Sequence, residues 1–469
     1  MNFYQRVGAF SGIDIEVVMI VRILFGFWLV AMAAIGVRAD SDLTPSSEGD
    51  DTVAIEQAIE KGGRIYFHSG TYRVKKSLMI DLAKVGPISF ISDGTARIEM
   101  KGEGPALHFI GSHAGTADPS TVAEKVWEKE RMPVVRGIEF TASNPQADAI
   151  SAEGTMQLTL TQLLIREMRH GIHLLKRNRN ISIDQVHIYN NRGIGIFYDQ
   201  VNLHQSNITG SHISYNQLGG VVIAGGDVRN VHITGCDLEA NMSEEGKYRA
   251  NIWVENVQGS GAEIAVTGCT VQHTAGVTDS ANIVFVGSET DTTEESPRWG
   301  HLTIADNILT DAQKNVWLKN ARGVTITGNT FGEGHQQHVL VEKSESIVLG
   351  ENVFDRNPPY YKTKAKDSQD VLLFRECRDC VLQGLLINGV SAENGAIQME
   401  RCLGMNLQGC SILNHGAIGL SLRGCGDCLI SGCMFRSRRG ENGVSVLEIG
   451  SVDAIEMVGN KTVKVERRK

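Results

Sequence analysis

The sequence is poor in proline, in aromatic side chains and in positive charge. It has 9 Pro and 6% Phe, Trp and Tyr in 469 residues, against 51 Gly. With 42% apolar residues the chain is too hydrophobic to be disordered, and it lacks the composition of a collagen. The formal net charge is −9. That acidic balance argues against a nucleic-acid partner, which would require a basic stripe.

Long hydrophobic runs are also scarce, apart from one near the N-terminus. The apolar segment 23–35 is too short to cross a bilayer comfortably and is followed by small residues suited to cleavage. We predict a signal peptide over residues 1–39, with translation starting at Met1 or Met19. The alternative is a membrane anchor over residues 17–37. Cleavage would give a secreted, periplasmic or cell-surface protein without a membrane attachment.

A short phrase recurs along the chain. It consists of an apolar residue, two small or polar residues, then Asn, Ser or Cys, then an outward residue and another apolar one. It is clearest from Ile233 (Ile-Thr-Gly-Cys) and Ile326 (Ile-Thr-Gly-Asn), and its basic period is 22–25 residues. Apolar residues alternate with period two, which excludes a helical solenoid and predicts short strands. The sequence therefore predicts an all-β parallel solenoid of about 12–14 coils.

Stacked coils turn repeated positions into columns about 4.8 Å apart. The fourth position of the phrase predicts an interior column in which successive Asn hydrogen-bond one another and Cys acts as a small buried hydrophobe. The column contains Ser211, Cys236, Cys269, Asn307, Asn329, Asn352, Cys410, Cys433 and Asn460. A second cysteine column contains Cys377, Cys402 and Cys425.

Two Cys-x-x-Cys pairs, from Cys377 and from Cys425, have zinc-ligand spacing. They lie two coils apart, roughly 9–10 Å, which is too far for bonds to one ion. We therefore predict structural cysteines and no metal site. Disulfides between adjacent coils are the alternative.

The segment that precedes the repeat has a distinctive pattern. Asp50-Asp51-Thr52 leads into a short amphipathic helix over 53–60, and strands follow at 64–67 and 70–74. This pattern resembles the start of the pectate lyase superfamily and of phage tailspikes.

The resemblance implies a right-handed parallel β-helix over 76–469, closed by an N-terminal cap with a plugging helix over 40–75. The state implied is a monomer or, as in tailspikes, a homotrimer. The superfamily includes pectate lyases, polygalacturonases, other glycoside hydrolases, epimerases and non-catalytic binders, so the fold leaves the activity open.

The catalytic signatures of this superfamily are mostly missing from the sequence. The polygalacturonase motifs are not found outside the cap. Arg131-Met-Pro-Val-Val-Arg136 has the spelling of a pectate lyase element, but no run of calcium-binding Asp precedes it. We therefore expect no cofactor, with Ca²⁺ entering only if the protein is a lyase.

The outward fifth and seventh positions of the phrase carry the candidate chemistry. His187, His212 and Asp237 occupy the fifth position of successive coils, and Glu239 lies two residues beyond Asp237. Paired carboxylates at such a distance can divide into acid and base or nucleophile, and a neighbouring His can relay a proton. We predict these four residues to be catalytic, the alternatives being substrate binding or an ordinary solvated surface.

Long loops follow the same coils and are expected to wall a cleft. We predict that the cleft binds a polysaccharide through five residues, namely Arg166, Tyr189, Tyr248, Trp253 and Trp299. A basic aromatic segment at 360–366 could suit an anionic polysaccharide. The leading hypothesis is a glycoside hydrolase. The alternatives are a polysaccharide lyase and a non-catalytic carbohydrate-binding or surface protein.

Overall fold

The computed structural model describes residues 40–255, 261–288, 299–357, 359–360, 368–390, 392–450, 453–461 and 464–468. The segment predicted as a signal peptide lies outside the described residues, as do most of the long loop after Val286 and nearly all of the basic segment at 360–366. None of the helices in the described ranges has the length and hydrophobicity needed to span a membrane.

The described residues form 41 strands, and every pairing between them is parallel. The strands of the first half are β1 (Ser41–Leu43), β2 (Gly63–Phe67), β3 (Gly70–Val74), β4 (Leu78–Asp81), β5 (Ile88–Met100), β6 (Gly104–Ile110), β7 (Val134–Ala142), β8 (Ala147–Met156), β9 (Thr159–Thr161), β10 (Leu164–Arg166), β11 (Ile172–Asp184), β12 (His187–Tyr189), β13 (Ile194–Thr209), β14 (His212–Ser214), β15 (Gly219–Ala224), β16 (Asp227–Thr234), β17 (Asp237–Glu239), β18 (Ala250–Glu255), β19 (Gly261–Thr267), β20 (Thr270–Gln272) and β21 (Ala281–Val286).

The strands of the second half are β22 (Gly300–Ala305), β23 (Ile308–Leu309), β24 (Ala312–Lys319), β25 (Arg322–Thr327), β26 (Thr330–Phe331), β27 (Gly334–Glu342), β28 (Glu345–Gly350), β29 (Val353–Asp355), β30 (Val371–Arg375), β31 (Val381–Gln383), β32 (Leu386–Asn388), β33 (Ile397–Glu400), β34 (Asn406–Gln408), β35 (Ser411–His415), β36 (Ile418–Arg423), β37 (Gly426–Ser431), β38 (Met434–Ser437), β39 (Val444–Ile449), β40 (Asp453–Val458) and β41 (Val465–Arg468).

Each coil contributes one strand to each of three sheets, because a strand pairs with its equivalent in the next coil. We name the sheets by their order within a coil. Sheet A includes β16, β19, β22 and β25, sheet B includes β12, β14, β17 and β20, and sheet C includes β15, β18, β21 and β24. The long strands β5, β7, β11 and β13 bend and belong to two sheets each. The result is a three-sided parallel β-helix, as the repeat predicts.

Short helices lie outside the sheets. They are α1 (Thr52–Lys61), α2 (Leu82–Val85), two 3₁₀ turns (Pro119–Thr121 and Gly440–Asn442) and a π-helical turn (Val126–Glu130).

Helix α1 lies where the N-terminal motif predicts it and buries Ile55, Ala58 and Ile59 against the first strands. Asp51 does not cap this helix through its side chain. Its carboxylate instead accepts hydrogen bonds from the Ser46 and Arg73 amides and ties the helix to β3.

The core is one continuous apolar cluster that runs along the inside of the coils from Ile55 to Val446. Inward residues stack on their equivalents in the next coil, as Phe331 does on Phe354 with ring centroids 4.4 Å apart. The predicted asparagine column is present. Asn307 Nδ2 donates to Asn329 Oδ1 over 2.9 Å, and Asn329 Nδ2 donates to Asn352 Oδ1 over 3.0 Å. Such a ladder satisfies buried amides that would otherwise destabilise the interior.

The nine cysteines all lie in described residues, and all are buried free thiols. They do not form the disulfides considered as an alternative, and their sulfur atoms lie within hydrogen-bond distance of interior backbone carbonyls, as Cys236 Sγ does with Ile208. A further buried ladder, not identified from the sequence, lies at the corner between sheets B and C. Its members are Asn191, Asn216, Asn241, Asn251, Asn282 and Asn315.

Candidate functional site

The outward face of sheet B brings the four predicted catalytic residues together. The register pairs His187 with His212, His212 with Asp237, and Ser214 with Glu239. Leu238 between the two acids is fully buried, so Asp237 and Glu239 both project outward from β17. The two imidazole rings are 5.0 Å apart. The predicted vertical registry is therefore present, although a role for these side chains is not established by their positions.

The two carboxylates have different surroundings. Burial raises the pKa of Asp237, and the negative charge of Glu239 raises it further. One oxygen of Asp237, Oδ1, is buried and has no hydrogen-bond partner among the described residues. Glu239 instead accepts a hydrogen bond from Gln272 Nε2 over 3.1 Å. A further hydrogen bond to Glu239 raises the pKa of the Tyr215 hydroxyl.

The surroundings of His187 favour its neutral form. Burial lowers the pKa of His187, and the adjacent His212 lowers it further. Two neutral imidazoles tolerate such proximity, whereas two cations would repel each other.

The position three residues after the first residue of each sheet B strand forms another column, which sequence reasoning missed. In successive coils it is Tyr215, Ala240, His273, Asp311 and Glu333. His273 Nδ1 lies 2.7 Å from Asp311 Oδ2, and its Nε2 lies 3.9 Å from Glu239 Oε2. His335 Nε2 in turn lies 3.5 Å from Asp311 Oδ1 and 3.9 Å from Glu333 Oε1. The titratable groups thus continue from the acid pair along the corner between sheets B and C. The coil spacing contains this signal, one position beyond the columns used for prediction.

Of the predicted substrate-binding residues, Arg166 and Tyr189 lie in the same outward column as Glu239. Arg166 is held in place by ion pairs, with its Nη2 2.8 Å from Glu139 and its Nη1 2.6 Å from Glu167. Arg166 can therefore contact a ligand only through a guanidinium group that is already ion-paired with two carboxylates.

Tyr248 and Trp253 lie on sheet C rather than beside the acid pair. Their rings are 5.7 Å apart, and Trp253 meets Trp317 edge to face at 6.0 Å. Trp253 borders a cleft of about 580 Å³ whose lining also includes Trp317, the cations Lys247, Arg249 and Lys314, and the carboxylates Asp279 and Glu342. Trp317 was not predicted as a site residue. The sequence did contain an indication of Trp317. The motif Asn-x-Trp occurs at Asn251 and again at Asn315, in strands that are two positions apart in sheet C.

The predicted aromatic residues are therefore distributed over different sheets, and their role in substrate binding stays a prediction. Trp299 lies immediately before β22 of sheet A, where it is partly buried and packs against the interior core. Side chains of a strand alternate between the interior and the outer face, so their direction can be predicted from sequence. A residue in an inserted loop does not follow this alternation, and its direction therefore could not be predicted.

A further polar cluster lies on sheet C at the N-terminal side of the aromatic residues. His173 lies between Asp148 and Asp199, at 3.3 and 3.1 Å, and stacks on Phe197 at 5.1 Å. Arg169 donates two hydrogen bonds to Asp148, which is almost fully buried. This cluster was also not predicted.

Two family models match the chain. The one described as a right-handed β-helix region matches residues 133–277, and the one described as a periplasmic copper-binding protein (NosD) matches residues 230–461. No curated protein sequence matches the chain.

Copper(I) is bound mainly by thiolate and thioether sulfur. The nine cysteines are only 1–3% exposed, with their sulfur atoms directed at interior carbonyls. These residues do not fit a copper(I) thiolate site.

Several solved structures are similar at low identity. A tailspike protein of bacteriophage CBA120 is 13% identical over 88% of this chain, with a TM-score of 0.49; this chain spans 59% of its length. The A-module of the Azotobacter vinelandii mannuronan C-5 epimerase AlgE4 is 12% identical over 90% of this chain and 95% of that chain, with a TM-score of 0.34. A mutant tailspike of E. coli bacteriophage HK620, in complex with a pentasaccharide, is 11% identical over 89% and 76%, with a TM-score of 0.45. No activity is inferred from likenesses at this level.

The three parallel sheets, the N-terminal motif and the family match agree with one another. The chain is a right-handed parallel β-helix.

Proposed function

We propose that the protein is an exported polysaccharide-active enzyme, a glycoside hydrolase whose acid pair is Asp237 and Glu239. The observation that carries the proposal is the unequal environment of two carboxylates projecting from one short strand. Asp237 is partly buried, and its Oδ1 is buried without a hydrogen-bond partner among the described residues, whereas Glu239 is hydrogen-bonded. Pairs of acids with divergent environments are the arrangement that glycoside hydrolysis uses.

The proposed roles follow from these environments. Asp237, whose protonated form is favoured by burial, would donate a proton to the glycosidic oxygen. Glu239, oriented by Gln272 and Tyr215, would act as the base for water or as the nucleophile. His212 lies directly beside Asp237 in the register. After Asp237 has given its proton to the glycosidic oxygen, His212 would relay a proton from solvent to Asp237.

The cleft on sheet C would hold a neighbouring part of the polysaccharide. Trp253 and Trp317 offer apolar ring surface for sugars. Lys247, Arg249 and Lys314 also line the cleft, and each is ion-paired with a carboxylate, namely Glu255, Glu244 and Asp279 in that order.

Purified protein incubated with a panel of neutral and acidic polysaccharides would test the proposal, with new reducing ends as the readout. Asp237→Asn and Glu239→Gln should each lower the rate by about 10²–10⁴-fold, the usual contribution of an acid or base. Glu263→Gln, which removes an exposed carboxylate on sheet A, is the matched control and should leave the rate unchanged. Full activity in both acid variants would refute the assignment.

Two alternatives give different outcomes in the same assay. A lyase would release unsaturated uronate products that absorb in the ultraviolet. A non-catalytic binder would retain polysaccharide without any new reducing ends. This second candidate is favoured by one observation, that the aromatic cleft lies on a different sheet from the acid pair. In that case Trp317→Ala should abolish retention, while Asp237→Asn should not affect it.

A further inference from the structure

We propose that Asp311, Glu333 and His335 bind a divalent transition-metal ion at the corner between sheets B and C, with Zn²⁺ as the fitting probe. One ligand atom from each residue lies within 4.8 Å of the other two. The inference is independent of the proposed hydrolase activity, because it rests on the geometry and charge of these three side chains alone.

Glu333 is the observation that requires an explanation. Its side chain is 0% exposed, and neither carboxylate oxygen has a hydrogen-bond partner among the described residues. Nε2 of His335 likewise lacks a hydrogen-bond partner within the described ranges. A buried carboxylate is normally paired, hydrogen-bonded or bound to a metal, because desolvating an unpaired charge is very costly.

The separations between ligand atoms match a metal site better than a hydrogen-bonded cluster. His335 Nε2 lies 3.5 Å from Asp311 Oδ1 and 3.9 Å from Glu333 Oε1. Both distances are long for a hydrogen bond. Bonds of about 2.0–2.2 Å to a tetrahedral ion place neighbouring ligand atoms roughly 3.4 Å apart, so a small inward movement would complete the site.

The surroundings orient the ligands. His273 Nδ1 contacts Asp311 Oδ2 at 2.7 Å, which directs Oδ1 towards His335. Such outer hydrogen bonds to ligating carboxylates are typical of metal sites. The nearby Asp370 is ion-paired with Arg356 and accepts a hydrogen bond from the Gly334 amide. Arg356 therefore already has a carboxylate partner.

The donor set selects the class of ion. One imidazole nitrogen with two carboxylates suits Zn²⁺, Mn²⁺ or Fe²⁺, whereas Ca²⁺ requires six to eight oxygen ligands. His335 is 23% exposed at its side chain, so a solvent molecule can reach the ion and fill an open position. Cu²⁺ binds most nitrogen and oxygen sites more tightly than Zn²⁺, so affinity for copper alone would not identify the physiological metal.

The test compares metal binding and thermal stability in four proteins that have been stripped with a chelator. Titration of the wild type with ZnCl₂ in a calorimeter should show one bound ion and an increase in melting temperature. Glu333→Gln should weaken binding at least about 10-fold, the loss that even an outer ligand partner causes. Without metal it should melt at the same temperature as the wild type or higher, because it removes an uncompensated buried charge.

His335→Gln provides a second variant if Glu333→Gln fails to fold, and it should also lose the bound ion. Glu345→Gln is the matched control, because Glu345 is similarly buried but is ion-paired with Arg322 at 2.9 Å. It should melt at a lower temperature and keep Zn²⁺ binding. If stripped wild type binds neither ZnCl₂ nor MnCl₂ at this site, or if Glu333→Gln binds as well as wild type, the proposal is wrong and Glu333 is a protonated core residue.

Discussion

The substitution Asp237→Asn should lower activity and raise stability at neutral pH. The carboxylates of Asp237 and Glu239 project from one strand, two residues and about 7 Å apart. Coulomb's law gives a repulsion of about 0.6 kcal/mol at the dielectric constant of water and about 2.4 kcal/mol at an effective value of 20. For this half-buried pair we expect about 1 kcal/mol.

The pH dependence follows from the raised pKa of Asp237. Between the usual pKa of 3.8 and the raised native value, the folded state holds more protons than the unfolded state. The stability of the wild type therefore falls as pH rises through this window, and the asparagine variant does not share that loss. The difference should be small below about pH 4 and should reach its maximum above the native pKa.

Thermal unfolding followed by circular dichroism between pH 4 and pH 8 measures this difference. For a chain of this length, about 1 kcal/mol corresponds to a shift of roughly 1 °C, with the variant melting higher at pH 7. Glu263→Gln, an exposed carboxylate on sheet A, serves as the control and should show no such pH-dependent gain. If Asp237→Asn melts lower than wild type at pH 7, Asp237 is stabilised by its neighbours, and its assignment as a shielded acid is refuted.

Two further substitutions test the fold around the site. Asn329→Ala should lower the free energy of unfolding by about 2–4 kcal/mol in urea, because it leaves interior amides and carbonyls unpaired; Asn329→Cys should cost less, since Cys269 fills the same column. Equal losses would contradict this account of the ladder. Asp148→Asn should cost about 1.5–3 kcal/mol at pH 7, because it weakens the charged hydrogen bonds between the buried carboxylate and the partly exposed Arg169. Burial opposes the ionisation of Asp148, but hydrogen bonds from Arg169 and His173 outweigh it and hold its pKa well below the usual range. The loss should therefore shrink as pH falls below about 4, and a loss independent of pH would indicate a packing defect instead.

The sequence was sufficient to predict the solenoid and the vertical order of the columns. Strand spacing is fixed by backbone hydrogen bonds, so a 25-residue step from His212 to Asp237 places these residues side by side whatever their chemistry. The same reasoning predicts the ladder of Asn307, Asn329 and Asn352. Both predictions depend only on the local repeat, which the sequence displays directly.

The arrangement around the coil could not be predicted in the same way. The repeat indicates which residues stack, but it does not indicate which of the three sheets a given loop packs against. The structure shows that Tyr248 and Trp253 lie beside Trp317 of sheet C and that Trp299 packs against the core. These positions depend on how inserted loops fold back, and loop conformation has no period from which to extrapolate.

Side chains at the corner between sheets B and C can contact both sheets at once. A side chain at a corner can contact residues of its own coil, of the coils above and below, and of both adjoining sheets. His273 uses this position to contact Asp311 in the next coil and to approach Glu239 on sheet B. An ion held by Asp311 would thus be linked to the proposed acid pair through one imidazole.

This connection makes the two proposals separable by experiment. His273→Ala should weaken Zn²⁺ binding through the lost contact with Asp311, whether or not the protein cleaves polysaccharide. If His273 also orients Glu239, the same variant should slow reducing-end formation in chelator-treated protein, in which no ion is present to lose. Slower turnover without metal would therefore assign His273 to the acid pair. Unchanged turnover with weakened Zn²⁺ binding would confine its role to the metal site.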